Sequence, residues 1–496
     1  MTYLLILFLM DLQPARKRQK RSAEPTQKEK RIDFVTSSFS KELVLKVFSY
    51  LSSADLVQCA AVSSHWAKLA NDETLWKPLF CHRFCESETE DQNHIARSNN
   101  KRRTSATRYG GSWKTKYRVH QNWLHGNCYV NDITIGNDTE SYPNSQQLFQ
   151  MTKDIMFVVS ADKCKIDVWK YIKDESRLLC RIESARLANS KITFIRLIDG
   201  NPLRLLGGYA NGGFVLWEIR TNLENLSIDE IANHNPQTDK DDSVISIGMD
   251  FPIVLLCTKN MKLSAFHIDE TNTARPIHRL QSPVDWSSVH IDIHKQTHNQ
   301  SLWVATICFS LAIGNHATSV GLQEVILSST TIVSSRHASA LESEPFFFSS
   351  SMSYYLQQNT NDSNDSSLVT AMAYSPPYLI TAHPNNTIKK YIITKNRGLD
   401  IRFEKILYGH TFRVEALALQ KEKLVSADRS GIKVWNLLKE DDTAVTIYTN
   451  KNQSLLQDLP ALRIRTLCFD EDRIAAFAKD DKSSFVRLWS FDSMQK

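Results

Sequence analysis

Apolar positions in the first part of the chain fall at helical spacing. Leu43, Val47 and Leu51 recur at i, i+4 and i+8, with Phe48 beside them, and mark one face of a helix running from Lys41 to about Leu51. Ser40 stands where an N-cap belongs, and Ser52-Ser53 ends this helix and offers the next cap. A short second helix carries Leu56, Val57 and Ala60. A third, begun by Ser63 or Ser64, carries Trp66 and Leu69, and Asn71-Asp72 caps a last turn with Leu75 and Trp76. A further helix starts at Ser112, with Trp113, Tyr117, His120 and Leu124 at i, i+4, i+7 and i+11 and Gly126 as its stop. Such a helix would dock the first module on the domain that follows.

From about Tyr129 the pattern changes to short β-rich runs between turns. Several share one form: an apolar strand ending in a small residue, a polar turn, then a strand ending in an aromatic. Clear copies are residues 157–171, 204–219, 423–437 and 473–491, and weaker ones are 253–268 and 378–393. Their aromatic positions are Trp169, Trp217, Phe266, Tyr391, Trp435 and Trp489. Neighbouring copies are 48, 49, 44 and 54 residues apart, except for 125 residues between Phe266 and Tyr391. That gap fits one more unit around 301–317 plus an insertion, residues 339–367, rich in Ser, Asn and Asp and expected to be a disordered surface loop. A period of this length is the mark of a repeat architecture.

Composition narrows the picture. The 496 residues are 42% hydrophobic and 23% charged, enough for a sizeable core. The net charge of +6 is uneven: residues 97–118 hold eight Lys/Arg and no Asp/Glu, whereas residues 119–496 are near neutral. The large C-terminal part therefore has no electrostatic footprint for duplex DNA, and nucleic acid is not an expected ligand. Nine cysteines without a repeated spacing argue against a disulfide framework and favour a reducing compartment, cytoplasmic or nuclear. The apolar run Tyr3–Met10 is far short of the ~20 residues needed to span a bilayer, and positive residues follow it instead of preceding it. Residues 1–37 read as a disordered basic tail whose cluster at 16–21 is either a nuclear import signal or a solvated charge run. Residues 85–127 read as a charged linker ending in the connecting helix.

The helical segment, residues 38–84, resembles an F-box. Phe39, Ser40, Glu42, Leu43, Phe48, Leu51, Asp55, Leu56, Val62, Ser63, Trp66, Leu75 and Trp76 hold the places of that family's pattern, with Ser40 where the family usually has Pro. The resemblance implies binding to the Skp adaptor of a cullin-type ubiquitin ligase, through Phe39, Ser40, Leu43, Val47, Phe48, Leu51 and Leu56. Trp66 and Trp76 are expected to hold the module together. About forty residues cannot make a self-sufficient core, so some of this surface is expected to lie under a partner.

Residues 128–496 resemble WD repeats closing a β-propeller of about seven blades. The expected fold is thus a small all-α F-box module followed by an all-β, WD-repeat-like propeller. The signature is degraded: only Gly409-His410 precedes a repeat in the family manner, and Trp435 is followed by Asn436. The resemblance implies a hydrogen-bonded tetrad of His410, Ser426 and Trp435 with a turn Asp. Ser430 stands where that Asp is expected, which leaves the network incomplete.

Signals for catalysis are absent: there is no phosphate-binding loop, zinc-protease helix or nucleophile elbow. His290, His294 and His298 sit in a stretch that alternates like a strand, and Cys81 and Cys85 lack a second ligand pair. No metal or cofactor is expected. The implied role is a non-catalytic receptor subunit that binds a target protein for ubiquitination. The alternative is a propeller scaffold whose F-box serves an assembly unrelated to ubiquitin. Lys163, Lys259, Arg429 and Lys479 follow the small residue at similar places in four repeats, on the rim where WD-repeat F-box proteins that read phosphorylated targets place basic residues. They are candidate target-binding residues, either for a phosphorylated target or as solvated surface charge. Ala210 and Pro384 interrupt the ring, and Glu415 stands where such readers place another arginine.

Overall fold

A computed structural model describes residues 39–84, 112–136 and 148–492, apart from 153–154, 161, 173–174, 189, 222–225, 237–241, 297, 300, 314–316, 342–368, 396–397, 440–442, 449–462 and 480–483. The tail 1–37 and the charged stretch 85–111 lie outside the described residues. The chain divides into two compact units between Tyr117 and Arg118, inside a single helix.

Among the described residues five helices precede the strands: α1 (Lys41–Phe48), α2 (Ser53–Ala60), α3 (Ser64–Ala70), α4 (Glu73–Phe84) and α5 (Trp113–His125). The last turn expected at Leu75 and Trp76 is a full helix, α4. Ser52 and Asp55 form a reciprocal capping box at α2, and Ser63 Oγ accepts from Trp66 N at α3. Ser40 precedes α1 in extended conformation without a side-chain cap bond.

Twenty-eight strands follow among the described residues, in seven antiparallel four-stranded sheets. Blade 1 is β2 (Phe149–Met151), β3 (Ile155–Val159), β4 (Ile166–Ile172) and β5 (Glu175–Ile182). Blade 2 is β6 (Ile192–Ile198), β7 (Leu203–Tyr209), β8 (Phe214–Thr221) and β9 (Leu226–His234). Blade 3 is β10 (Val244–Asp250), β11 (Ile253–Thr258), β12 (Lys262–Ile268) and β13 (Ala274–Gln281). Blade 4 is β14 (Ser288–Lys295), β15 (Trp303–Ile313), β16 (Ala317–Leu327) and β17 (Ile332–Leu341). Blade 5 is β18 (Ala371–Ser375), β19 (Tyr378–Ala382), β20 (Ile388–Thr394) and β21 (Asp400–Leu407). Blade 6 is β22 (Ala416–Gln420), β23 (Lys423–Ala427), β24 (Gly431–Asn436) and β25 (Val445–Tyr448). Blade 7 joins β26 (Arg463–Phe469), β27 (Arg473–Lys479) and β28 (Ser484–Ser490) to β1 (Tyr129–Gly136), its outermost strand. The first strands of successive blades touch in order, and β26 returns to β2, so the ring is closed.

The inner strands are apolar on both faces. In β3 (IMFVV) and β11 (IVLLCT) every residue is buried, because each sheet is covered on both sides by its neighbours. The core is accordingly divided into layers, one between each pair of adjacent blades. Ile166, Leu205 and Trp217 lie between blades 1 and 2, Leu216 and Phe266 between 2 and 3, Ile253 and Ile307 between 3 and 4. Leu322 and Tyr391 lie between blades 4 and 5, Leu424 and Trp435 between 5 and 6, Val425 and Trp489 between 6 and 7, Phe149 and Val486 between 7 and 1.

The six repeat aromatics all sit on the third strand of their blade, and all but the half-buried Trp169 are buried. In blades 1, 2, 3 and 5 a break in register falls directly before the aromatic: at Val168/Trp169, Leu216/Trp217, Ala265/Phe266 and Lys390/Tyr391. The extra residue lies in the fourth strand of each blade, namely Leu179, Ile231, Ile277 and Glu404, and the third strand continues unbroken past its aromatic. Blade 4 departs from this. Its third strand has Gly321 opposite Phe309 of the second, a Cβ at 321 would overlap the Phe309 ring, and Trp286 stacks on the same ring at 4.6 Å. The place corresponding to the repeat aromatic is Ile326, opposite Val304, so this blade has no aromatic at the repeat position, which explains the gap in the repeat spacing. The insertion placed at 339–367 begins after Leu341, since 339–341 complete β17; its remaining residues lie outside the described residues.

Polar groups also tie blades together. Arg196 of β6 donates through Nη1 to Ile247 O of β10 at 2.9 Å and to Ile291 O of β14, and Nη2 lies 3.4 Å from Asp292 Oδ1. One guanidinium thus joins three consecutive first strands. Replacing it leaves two carbonyls and a carboxylate without this donor. Arg196→Met is expected to lower unfolding stability by about 2 kcal/mol, read as a lower urea midpoint, whereas Arg275→Met, at an exposed pair, is expected to leave the midpoint nearly unchanged.

Candidate functional site

Two surfaces come into question. The first is on the helical module. Its core gathers Val44, Phe48, Leu56, Trp66, Leu69, Ala70, Leu75, Trp76 and Tyr117. Phe48 and Trp66 meet at 5.4 Å, and Trp76 Nε1 donates to Ala70 O at 2.7 Å. Trp66 and Trp76 are therefore core residues, and Arg83 Nη1 donates to the Tyr117 hydroxyl at 3.0 Å within the same unit.

This core corrects the residues assigned to an adaptor surface. Phe48 is 3% exposed and Leu56 0%, so both hold the module together from inside and are not on its surface. Leu51 is half-buried against the same core. Phe39, Ser40, Leu43 and Val47 are exposed, Leu43 at 56% and Val47 at 45%. α1 carries two neighbouring apolar stripes: Val44 and Phe48 face inward, Leu43 and Val47 outward. Tyr50, Val57 and Val62 are also exposed and were not among the assigned residues. With Phe39, Leu43 and Val47 they make six large apolar side chains left in water within residues 39–84, too many for random scatter. The available signal was α1's lack of a continuous polar face.

The connecting helix shows a similar shift. Its inward residues are Tyr117 in the first unit and Val119 and Trp123 in the second, while Leu124 is exposed. Trp123 stacks on Phe491 at 3.8 Å, its Nε1 donates to Glu471 O at 2.9 Å, and Lys423 Nζ lies 3.8 Å from its ring centroid. Gly126, at φ +68°, ends the helix in the left-handed region.

The second surface is the propeller rim formed by the turns between second and third strands. Lys163 stands in the blade 1 turn at φ +60°, Lys259 in that of blade 3 and Arg429 in that of blade 6; the last two are exposed. Lys479 closes β27 opposite Ser484, with its side chain outside the described residues. Because all these turns join the same two strands, they lie at one end of their blades.

Blade 6 corrects the expectation of an incomplete tetrad. The acid is Asp428, not a residue at 430. Trp435 Nε1 donates to Ser426 Oγ at 2.8 Å, Ser426 Oγ lies 2.7 Å from His410 Nε2, and His410 Nδ1 lies 3.0 Å from Asp428 Oδ2. A carboxylate only accepts, so Nδ1 carries a proton towards Asp428. Ser430 serves the acid: its N and Oγ donate to Asp428 Oδ1 at 2.7 and 2.5 Å, and Thr411 N and Phe412 N donate to Oδ2 at 3.2 Å each. Burial alone would raise the Asp428 carboxyl, but the bonds from His410, Ser430 and Phe412 outweigh it and hold it well below the ordinary range.

Among the described residues no group of three His, Cys, Asp or Glu could hold a metal ion. His290 and His294 lie on the strand β14, and burial lowers His290 to about 4. No described helix is long and apolar enough to cross a membrane.

Residues 128–466 match the family model described as F-box protein pof12 beta-propeller, which spans β1 through blade 6 and into β26. The chain belongs to this F-box β-propeller family. Residues 41–82, from the start of α1 into α4, match the F-box-like model. A protein of Arthroderma otae named as a probable E3 ubiquitin ligase complex SCF subunit, sconB, is 45% identical over 56 residues, 11% of this chain and 7% of the relative. F-box/LRR-repeat protein 5 of Xenopus laevis is 36% identical over 58 residues, 12% of this chain and 9% of that one. The chain thus spans less than a tenth of the length of these curated relatives. Among solved structures, the computationally designed Ika8 protein is similar at TM-score 0.39 and 15% identity, over 72% of this chain and 99% of its own.

The tetrad sets an expectation for stability against pH. A carboxylate held below its unfolded range stabilises the fold above about pH 4, and that contribution fades as pH falls further and the unfolded state takes up the proton first. Asp428→Asn is therefore expected to cost about 3 kcal/mol at pH 7, and the gap to the parent chain in urea unfolding is expected to narrow below about pH 4.

Proposed function

We propose that this chain is the substrate-recognition subunit of a Skp–cullin–F-box ubiquitin ligase, whose helical module binds the Skp adaptor and whose propeller binds a target protein. The observation that carries the reading is the exposed apolar row Phe39, Leu43, Val47 and Tyr50 at helical spacing, with Val57 and Val62 exposed beyond it, on a module that matches the F-box-like model. Covering such a row gains about 25 cal/mol per Å2 of apolar surface removed from water. The receptor performs no chemistry; it raises the local concentration of the target beside the ubiquitin-transfer machinery. The blade 6 tetrad favours reading the propeller as a diverged ring of WD repeats. On this reading Lys163, Lys259, Arg429 and Lys479 belong to the rim that meets the target.

The test uses exposed positions, so that folding and binding separate. Leu43→Asp and Val47→Asp are each expected to weaken co-purification of a Skp adaptor by at least about tenfold without altering the unfolding midpoint, since each puts a charge into a covered apolar contact. Phe48→Asp is expected to unfold the module instead. Failure of the parent chain to bind any Skp adaptor would reject the proposal and favour a propeller scaffold with an unrelated helical partner.

A further inference from the structure

The loop from β21 to β22 carries a second exposed apolar feature, distinct from the row on α1. Tyr408 is 67% exposed and Phe412 51%, both on the rim shared with the turn that holds Arg429. Phe412 belongs beside Arg429, because its own N and that of Thr411 bond to Asp428, the residue before Arg429, and Thr411 Oγ1 donates to Ser430 Oγ at 3.4 Å. The loop is held from three sides. Asp428 fixes it from beneath, Asn386 Nδ2 of blade 5 donates to Thr411 O at 2.9 Å, and Gly409, at φ +144°, lies over the Trp435 ring with Lys433 alongside.

A loop fastened in this way presents two large rings whose backbone has little freedom left to lose. Binding through them costs less entropy than binding through a mobile loop. Aromatic and arginine side chains are also the groups that most often dominate recognition energy. The charges facing this patch are Arg429, exposed, Arg413 and Glu415, both half-buried, and Lys433 on β24. The balance is positive, and no ion pair to Arg429 occurs among the described residues. A phosphate would want several converging donors, whereas the corresponding place in the neighbouring blade 5 is Pro384 and that of blade 2 is Ala210.

We propose that Tyr408, Phe412 and Arg429 form the main anchoring patch for the target, and that it takes an extended, unphosphorylated segment with an apolar anchor flanked by carboxylates. This rests on the receptor reading of the propeller and names the chemistry of what it receives. The rings would cover the anchor, and Arg429 would pair with a flanking carboxylate through charge-assisted hydrogen bonds.

The experiment is selection of phage-displayed random dodecapeptides, which carry no phosphate, on the full chain. Adaptor co-purification is measured on the same preparation. The parent chain is expected to enrich sequences with an aromatic or Leu anchor next to Asp or Glu, and synthetic copies are expected to bind at least about tenfold more weakly to Phe412→Ser and to Arg429→Glu. Val333→Ser, on the outer strand of blade 4, is expected to bind them like the parent. Arg429→Glu is expected to favour Lys-flanked copies, a reversal that loss of folding cannot produce. No enrichment, enrichment without acidic residues, or copies that bind both patch variants undiminished would each overturn the proposal. Retained adaptor binding in that case leaves the receptor reading standing, whereas loss of adaptor binding alone leaves the patch standing and removes the receptor.

Discussion

A four-stranded sheet with two apolar faces has no stable existence alone, and the C-terminal unit is built around that fact. Each blade buries its faces only against the blades on either side, so the core is a cycle of layers and not one interior. A cycle needs a seam. Here β1 from the start of the domain pairs with β28 from its end, from Tyr129↔Ser490 to Gly136↔Ser484, and Arg487 Nε and Nη2 donate to the Asp132 carboxylate at 2.6 and 2.7 Å. Breaking any one layer opens the ring, and so layer packing constrains the sequence more than any single motif does.

The same constraint explains why the repeats diverge so far while the architecture holds. A layer requires volume in the right place, and several residue choices supply it. Trp217, Phe266 and Tyr391 fill the third-strand place in blades 2, 3 and 5, each beside an extra residue in the fourth strand. In blade 4 that place is Ile326, and Phe309, further along the second strand, has its room from Gly321. The polar tetrad of blade 6 adds a directional network to one blade whose layers are otherwise of the same apolar kind.

These particulars decide what could be seen in the sequence. Strand pairs ending in an aromatic were legible because burial on both faces gives continuous apolar runs such as IMFVV. The fourth unit was legible only as a strand-like run around 301–317 inside a gap, since Ile326 at its third-strand place leaves no aromatic mark. Asp428 was hidden because the turn holds two candidate places, and only the bonds from Ser430, Thr411 and Phe412 show which one the acid occupies. On α1 the spacing identified an apolar helix correctly but not its inward side. Leu43 and Val47 and the pair Val44 and Phe48 are equally apolar stripes about 100° apart, and only the position of Trp66 decides between them. In α5, Trp123 turns inward and the neighbouring Leu124 outward for the same reason: two adjacent apolar residues cannot both face one surface.

Rigidity and exposure meet at one place on the rim. In an ordinary loop, exposed aromatic rings collapse onto the nearest apolar surface or move freely, and either outcome weakens recognition. The loop after β21 has neither freedom, because a buried carboxylate holds its two central amides and is itself held by His410 and Ser430. The Asp428 network therefore acts on more than blade stability. It sets the backbone from which Phe412 and Arg429 project, so a polar network inside the propeller supports an exposed aromatic surface on its rim. A blade packed by apolar layers alone has no comparable means of fixing a rim loop, since dispersion contacts are non-directional while hydrogen bonds to a single acceptor fix position and orientation together.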